Sequence, residues 1–204
     1  MNQLTVHPAH PAHAGDHLPA PFDYGRALAL REMARHYTDL PRYLLAPEIA
    51  ALLHYLPDWS QHALINTLWN TGGRINEVLA LRRRDFHLND DIPHVVIRTA
   101  KQRRAGGGRP RKGKSANRVV PLSDPVYVDE MRRLFASTKE RFEDDPITGE
   151  RRAMPVWAVT DRTVRNWLHR AVDAAGRDGV FFSTEISLHS CRHSFAILLL
   201  YGHV

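Results

Sequence analysis

The chain has 204 residues, 43% of them apolar and 25% charged, which fits one globular domain with an appendage rather than a disordered or fibrous chain. Its 28 Lys and Arg against 22 Asp and Glu leave a net charge of +6, a balance that hints at a polyanionic partner. A single cysteine, Cys191, excludes an intrachain disulfide framework and a cysteine-based zinc site, and the apolar run from Phe195 to Tyr201 falls far short of the ~20 residues that span a bilayer.

Residues 1–22 are rich in His and Pro and keep no helical or strand period, so a disordered tail is expected there. No basic, apolar segment opens the chain, and the expectation is a cytoplasmic protein without membrane contact. A weakly amphipathic helix is predicted over 25–37, within an N-terminal helical segment spanning 23–43. Pro47 suits the first position of a helix that places Ile49, Leu52, Leu53 and Leu56 on one face and stops at Pro57. Helix resumes over 60–70 until Gly72-Gly73 breaks it, and a short helix runs from Arg74 to Leu81 with Ile75, Val78 and Leu79 inward. The β-branched stretches 94–100 and 118–122 predict two strands of a hairpin. A helix follows from Pro125 to Lys139, capped by Ser123 or Asp124, and the polar 144–152 stretch reads as a loop. Val164, Trp167, Leu168, Ala171, Val172 and Ala175 keep one face of a helix that Gly176 is expected to stop. The last helix begins near His189 and is expected to run on to Val204. The fold class is therefore α+β and mostly helical, with a small antiparallel hairpin or sheet at one edge.

Charge is concentrated in one place. Between Arg98 and Arg118 there are nine basic residues and no Asp or Glu, so the remainder of the chain nets −3. Arg103, Arg104, Arg109, Arg111, Lys112 and Lys114 lie on the loop joining the two strands. Such a run suits a DNA phosphate backbone, where each cation displaces condensed counterions. By charge alone, a solvated loop around Gly106, Gly107 and Gly108 explains it equally well.

Three islands carry residues suited to chemistry. In Thr71-Gly-Gly-Arg74-Ile-Asn-Glu77, the glycine pair allows a sharp turn and sets Arg74 at a helix start, where a guanidinium and a helix N-terminus both favour phosphate oxygen. Glu77, one turn on, can hold Arg74; a plain surface ion pair has the same spacing. Lys101, where the first strand enters the basic loop, can protonate a leaving oxygen, with Lys112 and Lys114 as competitors. In His189-Ser-Cys-Arg192-His193, His189 and Arg192 share a helix face and can offer one phosphate a proton-transfer group and a bidentate clamp. The His189–His193 spacing is that of a zinc-protease helix, but Ser190 stands where that motif needs Glu, so no metal site is expected.

Taken in order, T-G-x-R-x-x-E-x-L-x-L, a strand with Lys, a strand ending V-P-L and H-x-x-R-H-S-F-A, the islands resemble the catalytic domain of the tyrosine recombinases, the phage-integrase family, over 44–204. The overall look, with a short His/Pro-rich head, resembles the resolvases of F-type plasmids within it. The resemblance implies a metal-free, cofactor-free cleavage and rejoining of double-stranded DNA through a phosphotyrosine intermediate, in plasmid multimer resolution or integration. It implies that Arg74 and Arg192 bind the non-bridging oxygens of the scissile phosphate, that Lys101 protonates the leaving 5′ oxygen, and that His189 assists proton transfer. It implies a DNA-dependent homo-tetramer. The family's nucleophilic tyrosine follows later helices, so Tyr201 is expected to be a packing residue, the nucleophile is expected beyond residue 204, and the chain is expected to be C-terminally truncated and inactive alone. A non-catalytic DNA-binding regulator of the same fold is the alternative.

Overall fold

A computed structural model describes residues 23–37, 42–98 and 117–201. Its helices are α1 (Tyr24–Tyr37), α2 (Ala46–His54), α3 (Trp59–Thr71), α4 (Ile75–Leu79), α5 (Pro125–Ser137), α6 (Asp161–Arg177) and α7 (Leu188–Tyr201). A three-stranded antiparallel sheet, in the order β1 (Phe86–His87), β2 (His94–Arg98) and β3 (Asn117–Pro121), lies beside them. A separate hairpin pairs β4 (Phe142–Asp144) with β5 (Arg151–Ala153). The mostly helical α+β expectation holds, as do the hairpin and its direction.

Helix α3 is the centre of the molecule. Leu64, Ile65 and Leu68 are fully buried on it, and it packs against α2, α4, α5 and α7. A helix apolar on several sides needs neighbours on several sides, which this arrangement supplies. Its three buried polar residues, Asn66, Thr67 and Thr71, are all paired, the Thr71 hydroxyl donating to the Thr67 carbonyl at 2.6 Å. Asn66 Nδ2 donates to Glu130 Oε2 at 2.7 Å, and the Thr67 hydroxyl meets both the Ala63 carbonyl and the Tyr127 hydroxyl at 2.7 Å.

Local signals account for the helix ends. Asp58, Asp124 and Thr160 cap α3, α5 and α6 by accepting backbone N–H groups of the first turn. Gly72 closes α3 in the left-handed region, with φ of 55°. Two expectations are corrected. Helix α6 passes through Gly176 and ends at Arg177, with Asp178 as its C-cap, and the left-handed residue is Gly179, with φ of 78°. The 144–152 stretch is not simply a loop, because its ends enter the β4–β5 hairpin, whose turn is held by Asp145 accepting from the N–H groups of Ile147 and Thr148. Both strands are short, charged and exposed, so no apolar alternation marks them.

Helix α1 is fastened by a buried ion pair. Arg31 Nη1 lies 2.7 Å from Glu48 Oε2, the side chains being 2% and 0% exposed, and Arg31 also donates to the Tyr43 carbonyl and to Ser183. Glu48 accepts in addition from the Leu45 N–H, capping α2. Among the described residues no helix is long and apolar enough to cross a membrane.

Candidate active site

The turn after α3 builds the first wall of the site. Arg74 occupies the N-cap of α4, and Glu77 returns one carboxylate oxygen to the Arg74 backbone N–H and the other to its guanidinium, both at 3.0 Å. The Glu77 side chain is 2% exposed, whereas the Arg74 side chain is 44% exposed. The carboxylate is thus a buried anchor and the guanidinium an accessible head. Neither glycine before Arg74 tolerates a side chain. A Cβ on Gly72 would lie 2.3 Å from Phe195, and one on Gly73 would lie 2.5 Å from Val78.

Helix α7 supplies the second wall. Arg192 Nη1 donates to the Gly72 carbonyl at 2.7 Å, which ties α7 to the same turn. Ser194 holds the other side of α7, accepting from the Leu44 N–H at 2.7 Å and donating to the Ser190 carbonyl. His189 is exposed in the first turn, and His193 is half-buried one turn on.

The sheet supplies a third guanidinium that the sequence reading left out of the site. Arg118 Nη2 lies 3.1 Å from Glu77 Oε2. Arg74 and Arg118 therefore share one carboxylate, with Arg192 beside them. Burial, then the charges of Arg74 and Arg118, push the Arg192 guanidinium down from its ordinary value, with Glu77 acting the other way. Burial would raise Glu77, but its hydrogen bonds from Arg74 and the charges of Arg118 and Arg74 outweigh that and hold the carboxyl below its ordinary range. Arginine stays protonated under such pressure, so three cations face one anion and the surplus is positive. Burial, then His189 and Arg192, lower the His193 imidazole.

Of the residues expected from sequence, Arg74, Glu77 and Arg192 come together, with His189 one turn from Arg192 on α7. Lys101, Arg103, Arg104, Arg109, Arg111, Lys112 and Lys114 lie outside the described residues, as do the tail of residues 1–22 and the expected helical course past Tyr201. Among the described residues, the group whose atoms approach metal-ligand spacing is His87, Asp90 and His94, within 4.8 Å of one another. The two imidazoles are stacked 5° from parallel, and His94 Nδ1 is already bonded to the Ile92 carbonyl. Parallel rings direct their lone pairs side by side rather than at one ion.

The arrangement suits a tetrahedral oxyanion: two accessible arginines from different elements, excess positive charge and imidazoles at the rim. The chain is similar to known proteins over most of its length. The phage integrase family pattern matches residues 42–203. A protein named resolvase from Escherichia coli is 46% identical over 202 residues, covering 97% of this chain and 78% of its own length. A resolvase of E. coli strain K12 is 47% identical over 192 residues, covering 92% of this chain and 72% of its own length. The fold resembles that of the XerH site-specific recombinase, solved in a pre-cleavage complex with its difH substrate, with a TM-score of 0.55 and 21% identity. That match covers 79% of this chain and 44% of the XerH chain, so the chain spans less than half of that protein.

Proposed function

The chain belongs to the phage integrase family, the tyrosine recombinases of site-specific DNA recombination, and from that premise we propose that Arg74, Arg192 and His189 grip and act on one backbone phosphate of double-stranded DNA. The observation that carries this reading is the meeting of α4 and α7 at one turn. Arg192 bonds the carbonyl of Gly72 two residues before Arg74, and Glu77 fixes Arg74 from below.

Arg74 and Arg192 take the non-bridging oxygens. As an incoming tyrosine phenol forms its bond to phosphorus, negative charge grows on those oxygens, and fixed guanidiniums stabilise it more than they stabilise the resting diester. The bond to the 5′ oxygen breaks, and that oxygen takes a proton, the role given to Lys101. His189, at the rim, takes up the proton that the phenol gives up. The covalent phosphotyrosine link retains the energy of the diester, so a 5′ hydroxyl can reverse the step and rejoin DNA. The basic stretch around Arg103, Arg104, Arg109, Arg111, Lys112 and Lys114 holds the flanking backbone. The likeness to proteins named resolvases supports recombination over a stand-alone regulator, and resolution over integration. A cytoplasmic location and four copies on paired sites complete the proposal, the latter resting on family resemblance.

The test is selection of duplexes from a random pool, followed by binding of the chosen sequence. Wild type should bind with a steep fall in affinity as salt rises. Arg74→Ala and Arg192→Ala should each weaken binding about tenfold or more, the worth of one charge-assisted contact, while exposed Lys139→Ala should not. Wild-type affinity in both arginine variants would contradict the proposal.

A further inference from the structure

We infer that Arg118 is a positioning residue of the phosphate site, holding Glu77 from the sheet side so that Arg74 is presented in one orientation. The inference rests on the phosphate reading above. Three observations lead to it.

The first is connectivity. Glu77 gives one oxygen to the Arg74 guanidinium, at 3.0 Å, and the other to the Arg74 N–H, at 3.0 Å, and to Arg118 Nη2, at 3.1 Å. A carboxylate held on one side only can rotate and carry its partner with it. Bound by arginines from two elements, it is fixed in plane.

The second is placement. Arg118 sits opposite Ile97 in the β2–β3 register and shares the inward face with Val120, two residues on. Ile97 is fully buried and Val120 is 8% exposed, so the surroundings suit an apolar side chain better than a guanidinium. Arg118 Nε is buried without a hydrogen-bond partner. Burying that donor carries a cost, which the contact with a buried anion offsets.

The third is charge. Glu77 can neutralise one of its two arginines. The other adds to the field at Arg192, whose guanidinium already feels Arg118 as well as Arg74. Arg118 therefore acts on both phosphate-facing arginines, on one through Glu77 and on the other through space. It also makes the base of the β2–β3 hairpin part of the site's framework, since β3 is the strand that leaves the basic stretch.

The test uses two variants and two readouts. Arg118→Gln removes the charge, and Arg118→Lys keeps it; because Arg118 reaches Glu77 through Nη2 alone among the described residues, lysine can restore much of that contact. Without DNA, the Glu77 carboxyl is followed by carbon-13 NMR, its signal identified by loss in Glu77→Gln. Its titration midpoint should rise in Arg118→Gln and stay low in Arg118→Lys. With the selected duplex, Arg118→Gln should weaken binding about tenfold, Arg118→Lys should recover most of it, and adding Arg74→Ala to Arg118→Gln should cost much less than Arg74→Ala alone. An unmoved Glu77 midpoint, or additive losses with no recovery by lysine, would overturn the inference. A raised midpoint in Arg118→Gln together with a wild type that binds no duplex would uphold the coupling and overturn the phosphate reading instead.

Discussion

Arg192 and Gly72 are joined by a 2.7 Å hydrogen bond across 120 positions of sequence, from a side chain of α7 to the carbonyl that closes α3. The bond orients a guanidinium by using a backbone group that the helix end leaves free. It also makes the Gly72 turn a shared part of the fold and the site. The left-handed conformation of Gly72, φ 55°, and the ring of Phe195 packed against it both exclude a side chain there.

That turn predicts opposite outcomes for two glycines. Gly72→Ala should lose about 2–4 kcal/mol of stability, from left-handed strain and a clash with Phe195. Gly176 lies inside α6, and a Cβ there meets nothing within 4 Å, so Gly176→Ala should gain about 0.5 kcal/mol. Urea unfolding of both variants measures this, and equal effects would contradict the assignment of Gly72.

Acid sensitivity should come from two buried carboxylates. For both Glu48 and Glu77, burial raises the carboxyl, but arginine partners and backbone N–H groups outweigh it and hold the group below its ordinary value of 4.5. A lowered folded value means the unfolded chain binds more protons, so each contributes stability above pH 4.5 that is lost as pH falls through the folded value. Glu48→Gln should cost about 3 kcal/mol at pH 7, because Arg31 is left charged and 2% exposed. It should also flatten the acid limb in a series of unfolding curves between pH 3 and 6. An unchanged limb in both Glu48→Gln and Glu77→Gln would remove these groups from the account.

His193 should report on phosphate binding. Burial, then His189 and Arg192, hold its imidazole below the ordinary 6.5. An arriving phosphate offsets those cations, so the imidazole rises and takes up a proton. Calorimetry of duplex binding near pH 6, in buffers of different ionisation enthalpy, should show net proton uptake in wild type and less in His193→Gln. Equal uptake in the two would separate His193 from the site.

Much of this was legible in the sequence, for physical reasons that differ by residue. Helices α2, α5 and α6 combine apolar periodicity with start signals, and the Arg74–Glu77 and His189–Arg192 pairs follow from helical spacing. Gly176 misled because a glycine at a helix end resembles a stop, while the left-handed position fell at Gly179. Arg118 was hidden among nine basic residues whose charge alone does not rank them. Strand alternation was the signal that could have separated it, since Arg118 is two residues before the core residue Val120 and thus faces inward with it. The Gly72 carbonyl left no trace, because a backbone acceptor has no residue type to read.

The most direct test of the central claim replaces backbone phosphates of the selected duplex, one at a time, with uncharged methylphosphonates. If Arg74 and Arg192 clamp one phosphate, wild-type binding should drop sharply at a single position on each strand, and Arg74→Ala and Arg192→Ala should lose that sensitivity at the same position. A uniform response along the duplex, identical in wild type and both variants, would contradict the clamp.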